Sequence, residues 1–483
     1  MTERTTASGL GRDVAVYGVA SLIAQGAVVI ATPVFARTLG PAGYGELDLL
    51  LAGVNLAVLV AIAGTDTAAL QQYFLADGPA EREGVFSSGL VWTLVAGLVV
   101  ACAAYAASGP IAGAMSSEPG ALTSVRLAAS VIPALTVARF TLEALRARRQ
   151  PWRYLASVVI LSGVQLLIGV VWVVRFDGGV PQVMAAWLIG SLASLAYNVV
   201  TSGGLLRLRV RRAQMRRILT IGLPLLFAGL AGWSVMFVDR LVLVRIVSLR
   251  ELGIYALAAK VSLLLTLVIY SFNRGWTPVV LEATAHDAPG ARSMRARTSV
   301  LYLASVAWIA VAASLLAPAM VGVLGGKAFA QAADLVPVLA AAFLLLAPMP
   351  VIQVSMLVTA RTSLLAWPAC VAAVVNAAGV VALASYFGLM GAALATVAGF
   401  LVQLVLTFVF AQRIDPVDYP WTRLGVLTVV TASAMSLSWV PPTTFWLSAR
   451  VLLALVFPTV LVAAGVVRVG ELRSLTSMFD RSR

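Results

Sequence analysis

A chain of 483 residues that is 61% hydrophobic and only 11% charged, with a mean hydropathy of +0.97, is no soluble domain, in which roughly a quarter of residues carry charge. At about 20 residues per spanning helix this length is consumed by about fourteen spans, which leaves no room for a sizeable soluble catalytic domain. The net charge of +14 lies as arginine between apolar runs rather than on one soluble module, so membrane topology explains it and nucleic-acid binding is not expected.

The first apolar run, 14–36, is too long for a signal-peptide core and is retained as a span. Further runs follow at 46–70, 85–107, 122–142, 154–174, 182–206, 218–247, 254–280, 299–324, 335–359, 364–387, 390–411, 424–440 and 447–467. With the N-terminus in the cytoplasm, 23 basic residues fall in inside segments and 7 in outside segments or their edges. That bias fits the positive-inside rule with both termini cytoplasmic. Cys102 and Cys370 lie in apolar runs and read as small buried hydrophobes. His286 stands beside Asp287 in a loop and reads as solvated; one histidine builds no zinc site.

An arginine-rich stretch, 207–217, divides the chain after its sixth span. The second half echoes the first at an offset of 208 residues, with Arg37 matching Arg245 and Gly45 matching Gly253. Each pair flanks the turn between the first two spans of its half. The expected fold is therefore all-α: a polytopic membrane protein of about 14 transmembrane helices, in two pseudo-symmetric six-helix bundles plus two C-terminal helices. The bounds are 1–206 for the first bundle, 207–217 for a basic cytoplasmic linker, 218–411 for the second bundle, and 412–483 for the two extra helices and a cytoplasmic tail.

Enzyme motifs are missing. Gly325-Gly326-Lys327 has Val321 where a phosphate loop needs its first glycine and Ala328 where it needs Ser or Thr, so it is no ATP site. No gathered His, Cys or carboxylate set supports metal or covalent catalysis. A transporter without a cofactor, coupled to H+ or Na+ or to downhill flow, is the class that remains.

The informative residues are charges inside spans, which cost at least about 2.5 to 3.5 kcal/mol at the bilayer centre and so turn toward partners or water. Asp239 and Arg240 lie before the outer end of the seventh span and Lys260 after the start of the eighth. At 1.5 Å per residue Asp239 and Lys260 sit at matching depth, about 9 Å below the outer surface, which makes them a plausible pair. Arg274 follows Asn273 near the inner end of the eighth span, with Asp66 at the same level of the second. The candidate substrate-cavity set is Arg240, Lys260, Asn273, Arg274 and Arg12; the ion-coupling candidates are Asp48, Asp66 and Asp239. Arg126 and Arg139 read equally well as arginines snorkelling to headgroups. Pro224, Pro278, Pro348, Pro350 and Pro368 are candidate bend points. Such cations suit an anionic cargo, because guanidinium offers phosphate permanently charged, bidentate donors.

Three stretches carry a family resemblance: Pro33 and Ala36-Arg37-Thr38-Leu39-Gly40-Pro41 through Tyr44-Gly45 and Leu49-Leu50; Asp239-Arg240 with Leu252-Gly253 and Tyr255-Ala256-Leu257-Ala258; and Gly388 to Thr396. They resemble the polysaccharide biosynthesis and O-antigen flippases of the multidrug, oligosaccharidyl-lipid and polysaccharide exporter superfamily. The resemblance implies a V-shaped pair of six-helix bundles in a bacterial cytoplasmic (inner) membrane. It also implies movement of an undecaprenyl-diphosphate-linked oligosaccharide from the inner to the outer leaflet, with membrane lipids, a polysaccharide polymerase and glycosyltransferases as partners. Ser248-Leu249-Arg250 departs from the family's Leu-Gly-Pro turn. Rival expectations are an ion-coupled exporter of drugs or metabolites, a peptidoglycan-precursor flippase on the same fold, and a non-transporting scaffold of a glycan-synthesis complex.

Overall fold

In the computed structural model the chain is described over residues 7–115, 120–202, 207–359, 361–440 and 444–468, and within them every regular element is helical. Ten helices are long and apolar enough to cross a membrane. Two of these hold two spans each, merged across kinks at Gly40 (φ 67°) and Gly388 (φ 55°). With the shorter helices Trp421–Ser436 and Thr444–Ala463 the described residues contain fourteen spans, as composition and length require. The chain is a multi-pass membrane protein.

Its contacts divide it into two units, 1–233 with 248–253, and 234–247 with 254–483. The first unit holds α1 (Ala7–Ile62), α2 (Thr65–Leu75), α3 (Pro79–Ala106), α4 (Ser108–Met115), α5 (Ala121–Ala147), α6 (Pro151–Arg175), α7 (Val180–Thr201) and most of α8 (Arg212–Leu243). Small and hydroxyl-bearing residues let its helices approach closely, the usual device where lipid removes the hydrophobic drive between helices. Ser157 and Ser194 share a hydrogen bond of 3.0 Å between α6 and α7, and Asn198 of α7 donates to the Thr141 hydroxyl of α5 at 3.1 Å. Phe140 of α5 meets Phe86 of α3 at 5.8 Å between ring centres, over Gly89, where any Cβ would strike the Phe140 ring.

The second expected span is not continuous. Ala63 (φ 51°) and Gly64 (φ 67°) both adopt left-handed backbone, which ends α1 and starts α2. A Cβ on Gly64 would approach the Gly222 carbonyl oxygen to 2.5 Å, and one on Gly222 would approach that of Ala63 to 2.6 Å. The break is therefore wedged against α8 by backbone contact.

The second unit holds the last turns of α8 and most of α9 (Leu249–Ser262), then α10 (Leu264–His286), α11 (Ala288–Leu315), α12 (Ala317–Gly325), α13 (Ala332–Leu344), α14 (Met349–Ile352), α15 (Val354–Val358), α16 (Ala366–Ile414), α17 (Trp421–Ser436) and α18 (Thr444–Ala463). The tenth expected span is split into α13, α14 and α15, with Pro348 and Pro350 at the break. The final helix docks on α11, where the Trp308 indole donates to the Ala454 carbonyl at 2.7 Å. Ser248-Leu249-Arg250, where the family's turn is lost, forms a capping box instead. Glu251 accepts from the Ser248 N–H at 2.9 Å and its own N–H reaches the Ser248 hydroxyl at 3.3 Å.

Both cysteines are exposed, which corrects the expectation that they are buried. In a membrane protein an apolar run covers the lipid-facing surface as well as the core, so hydropathy does not separate the two. His286 is exposed, as expected.

The 208-residue offset recurs where each unit holds the segment after its sixth span. In the first, the Arg207 N–H donates to the Ser87 hydroxyl at 3.4 Å, and its guanidinium pairs with Glu83 at 3.2 Å. In the second, Asp415 stands at the position of Arg207 and Arg295 at that of Ser87. Arg295, 1% exposed, pairs with Asp415 and donates to Ser355 at 3.0 Å, while Arg292 reaches Asp415 at 2.7 Å. Burial pushes the Asp415 carboxyl up, but hydrogen bonds from Arg295 and Arg292, joined by their charges, outweigh it and hold the group below its ordinary value. Burial raises the nearby Tyr419 hydroxyl to about 12.

Candidate functional site

The end of α8 carries Asp239 and Arg240 into the second unit, where they are 3% and 5% exposed. The Arg240 side chain folds back along its own helix, donating to the Asp239 carboxylate at 2.9 Å and to the Met236 carbonyl at 2.8 Å. It lies over the rings of Phe237 and Tyr255 at 5.3 and 5.8 Å. The other Asp239 oxygen accepts from the Tyr255 hydroxyl of α9 at 2.6 Å, and that hydroxyl lies 3.1 Å from Thr396 of α16. Three helices are thus joined by one buried network whose charges cancel locally. Sequence reasoning singled out Asp239 and Arg240 but gave no role to Tyr255 or Thr396. Their signal was a hydroxyl recurring within each of two motif stretches.

Lys260, near the end of α9, is half-buried. After the irregular residue Leu263, α10 carries Asn273, which accepts from the Thr277 hydroxyl at 3.0 Å, and Arg274, which is exposed at mid-helix. On the neighbouring positions Phe272 stacks between Trp276 and Tyr302, with ring centres 5.3 and 3.7 Å away. The ring stack braces the α10 backbone beside Asn273 and Arg274 against α11.

In the first unit Asp48 is buried, 7% exposed. Two turns on, Asn55 accepts from Arg139 of α5 at 2.8 Å, so Arg139 is held inside the unit rather than snorkelling. Asp66 sits in the first turn of α2, just past the helix break, where it accepts the Thr67 N–H at 2.7 Å. Its charge acts on Arg139 and on Glu143, and Glu143 pairs with Arg146 at 3.4 Å. The Arg12 side chain lies outside the described residues. Among the described residues no three His, Cys, Asp or Glu side chains gather as a metal site.

Gly45 and Gly253, paired by the sequence offset, touch each other. A Cβ on Gly45 would collide with the Leu249 carbonyl, and one on Gly253 with the Pro41 carbonyl; 41 and 249 are again 208 apart. The contact has local two-fold symmetry and closes only because both glycines are bare.

Residues 10–284 match the family model described as "Polysaccharide biosynthesis protein". A curated relative, "Lsg locus putative protein 1" of Haemophilus influenzae, is 21% identical over 280 residues, which cover 56% of this chain and 66% of the relative, just under two thirds of its length. Among solved structures, "Lipid II flippase MurJ, inward closed conformation" aligns with a TM-score of 0.73 at 13% identity, over 92% of this chain and 97% of that one. An inward-facing multidrug resistance MATE family transporter of the MOP superfamily aligns with a TM-score of 0.66 at 15% identity, over 84% and 96%. At these identities the structural likeness establishes the fold.

Proposed function

Because the chain belongs to the polysaccharide biosynthesis protein family, we propose that it is a flippase, not an enzyme. In this reading it carries a polyprenyl-diphosphate-linked oligosaccharide, an O-antigen or exopolysaccharide repeat unit, from the inner to the outer leaflet of a bacterial cytoplasmic membrane by alternating access, with both termini cytoplasmic. The observation that carries this reading is Arg274, an exposed arginine within the apolar span Leu249–His286. A guanidinium exposed there turns toward polar partners or water rather than lipid, and a diphosphate offers it bidentate, charge-assisted acceptors. Lys260 supplies a second positive charge on the same helix pair and Asn273 a neutral amide, and Arg12 is a separate cationic candidate of the first unit. Arg240 is already neutralised by Asp239, so its part is to fix the end of α8 against Tyr255. Asp48 and Asp66 are the carboxylates for coupling to H+ or Na+. A polymerase and glycosyltransferases are the expected neighbours in the membrane.

The test is leaflet transfer of a fluorescent polyprenyl-diphosphate oligosaccharide in proteoliposomes. Arg274→Ala lowers the rate at least about tenfold, the worth of one charge-assisted contact, while Arg274→Lys keeps part of it. Wild-type transfer of lipid II or of cationic drugs, with none of the oligosaccharide lipid, decides for the rival cargoes. Glycan export in cells that survives loss of transfer decides for the scaffold.

A further inference from the structure

The first unit contains a cleft of about 500 Å³ lined by Gln72 of α2 and by Ala213, Arg216, Arg217, Thr220 and Ile221 of α8. None of these residues belongs to the cargo set. The polar lining comes from two helices, the Gln72 amide from α2 and two guanidinium groups from α8, beside Ala213 and Ile221, while the Thr220 hydroxyl donates to the Arg216 carbonyl at 2.8 Å. Arg217 is oriented from behind. One of its nitrogens donates to Glu81 at 3.1 Å, and Glu81 is itself held by Gln214 at 3.1 Å and by the Asp77 N–H at 3.2 Å. The remaining Arg217 N–H groups are left for a ligand. The Arg216 guanidinium makes no hydrogen bond or ion pair among the described residues.

The rim on the membrane side is apolar: Leu223 and Phe227, which follow Arg216 and Thr220 along the same face of α8, are 44% and 67% exposed. The cleft also sits within the first three turns of α8, where the apolar run begins, so it lies at the level of headgroups rather than in bulk water. A free phosphate would satisfy the arginines and leave that rim wet. A phosphate that carries acyl chains satisfies both.

We propose that this cleft is a binding site for an anionic phosphoglyceride of the surrounding bilayer, its phosphate between Arg216 and Arg217 and its acyl chains along Leu223 and Phe227. The site is independent of the cargo route and stands whether or not the chain is a flippase.

The test is thermal unfolding of the purified full chain in an uncharged detergent, titrated with dioleoylphosphatidylglycerol, dioleoylphosphatidylcholine or sodium phosphate. Phosphatidylglycerol raises the unfolding temperature saturably; Arg216→Gln with Arg217→Gln moves half-saturation up by roughly thirtyfold, the worth of two arginines near a lipid surface. Arg216→Gln alone disturbs no side-chain contact and moves it by roughly fivefold, which keeps the test decisive if the double variant does not fold. Arg209→Gln, outside the cleft, titrates as wild type. The proposal fails if Arg216→Gln titrates as wild type, if phosphatidylcholine or sodium phosphate reproduces the rise, or if Arg209→Gln weakens it equally, which would mark a diffuse attraction.

Discussion

Asp239 shows how a charge inside an apolar run acquires a partner that spacing does not suggest. Depth along two antiparallel spans points to Lys260, because residues adjacent on a helix face different ways. Yet an arginine stem is long enough to double back, and Arg240 meets the carboxylate of its own predecessor. Removing one member of a buried pair strands the other at a cost of about 3–5 kcal/mol. Asp239→Asn and Arg240→Gln are each expected to lower the unfolding temperature sharply in detergent, and the double variant to lose less than the sum. Asp415 gives the residue-scale pH dependence. Its folded-state affinity for a proton is below the ordinary one, so its stabilisation is present above the usual carboxylate range and is lost as pH falls through the lowered value. The stability gap between wild type and Asp415→Asn is expected to be flat from about pH 6 to 8 and to narrow only below about pH 4, read by thermal unfolding across a pH series. Which charges lie inside spans was legible in the letters; which groups they meet was not, since Tyr255 and Thr396 are 141 residues apart.

Among elements, the kinked pairs were legible because Gly40 and Gly388 lie in turn motifs between two full-length apolar runs. The break at Ala63 and Gly64 was not, because hydropathy continues through it and only the backbone contact with Gly222 requires it. Close glycine contacts make sharp tests. Gly253→Ala forces a methyl group onto the Pro41 carbonyl and is expected to cost about 1–3 kcal/mol, as overpacking does. Gly232→Ala, whose methyl would meet nothing within 4 Å, is expected to be neutral or to stabilise α8 by up to about 1 kcal/mol. Unfolding temperatures of the two variants, measured side by side, check both numbers.

Across the whole molecule, the number and order of spans come from hydropathy, which is why fourteen helices were foreseeable while their lipid-facing sides were not. The exposed cysteines turn that failure to use. Cys102→Ala with Cys370→Ala is expected to change stability by less than about 0.5 kcal/mol, giving a clean background for topology. On it, a cysteine replacing Arg209 is expected to react with an impermeant thiol reagent only from the cytosolic side, and one replacing Lys327 only from outside; the reverse pattern would invert the orientation. The opposed polarity of Arg207 and Asp415 reaches further. During synthesis, two look-alike tails must each find the right one of two look-alike berths. The first tail, offered to the wrong berth, brings its arginine against Arg292 and Arg295; the second brings its carboxylate against Glu83. Each mismatch sets like charge on like, so a duplicated architecture carries its own sorting code against cross-docking of its halves.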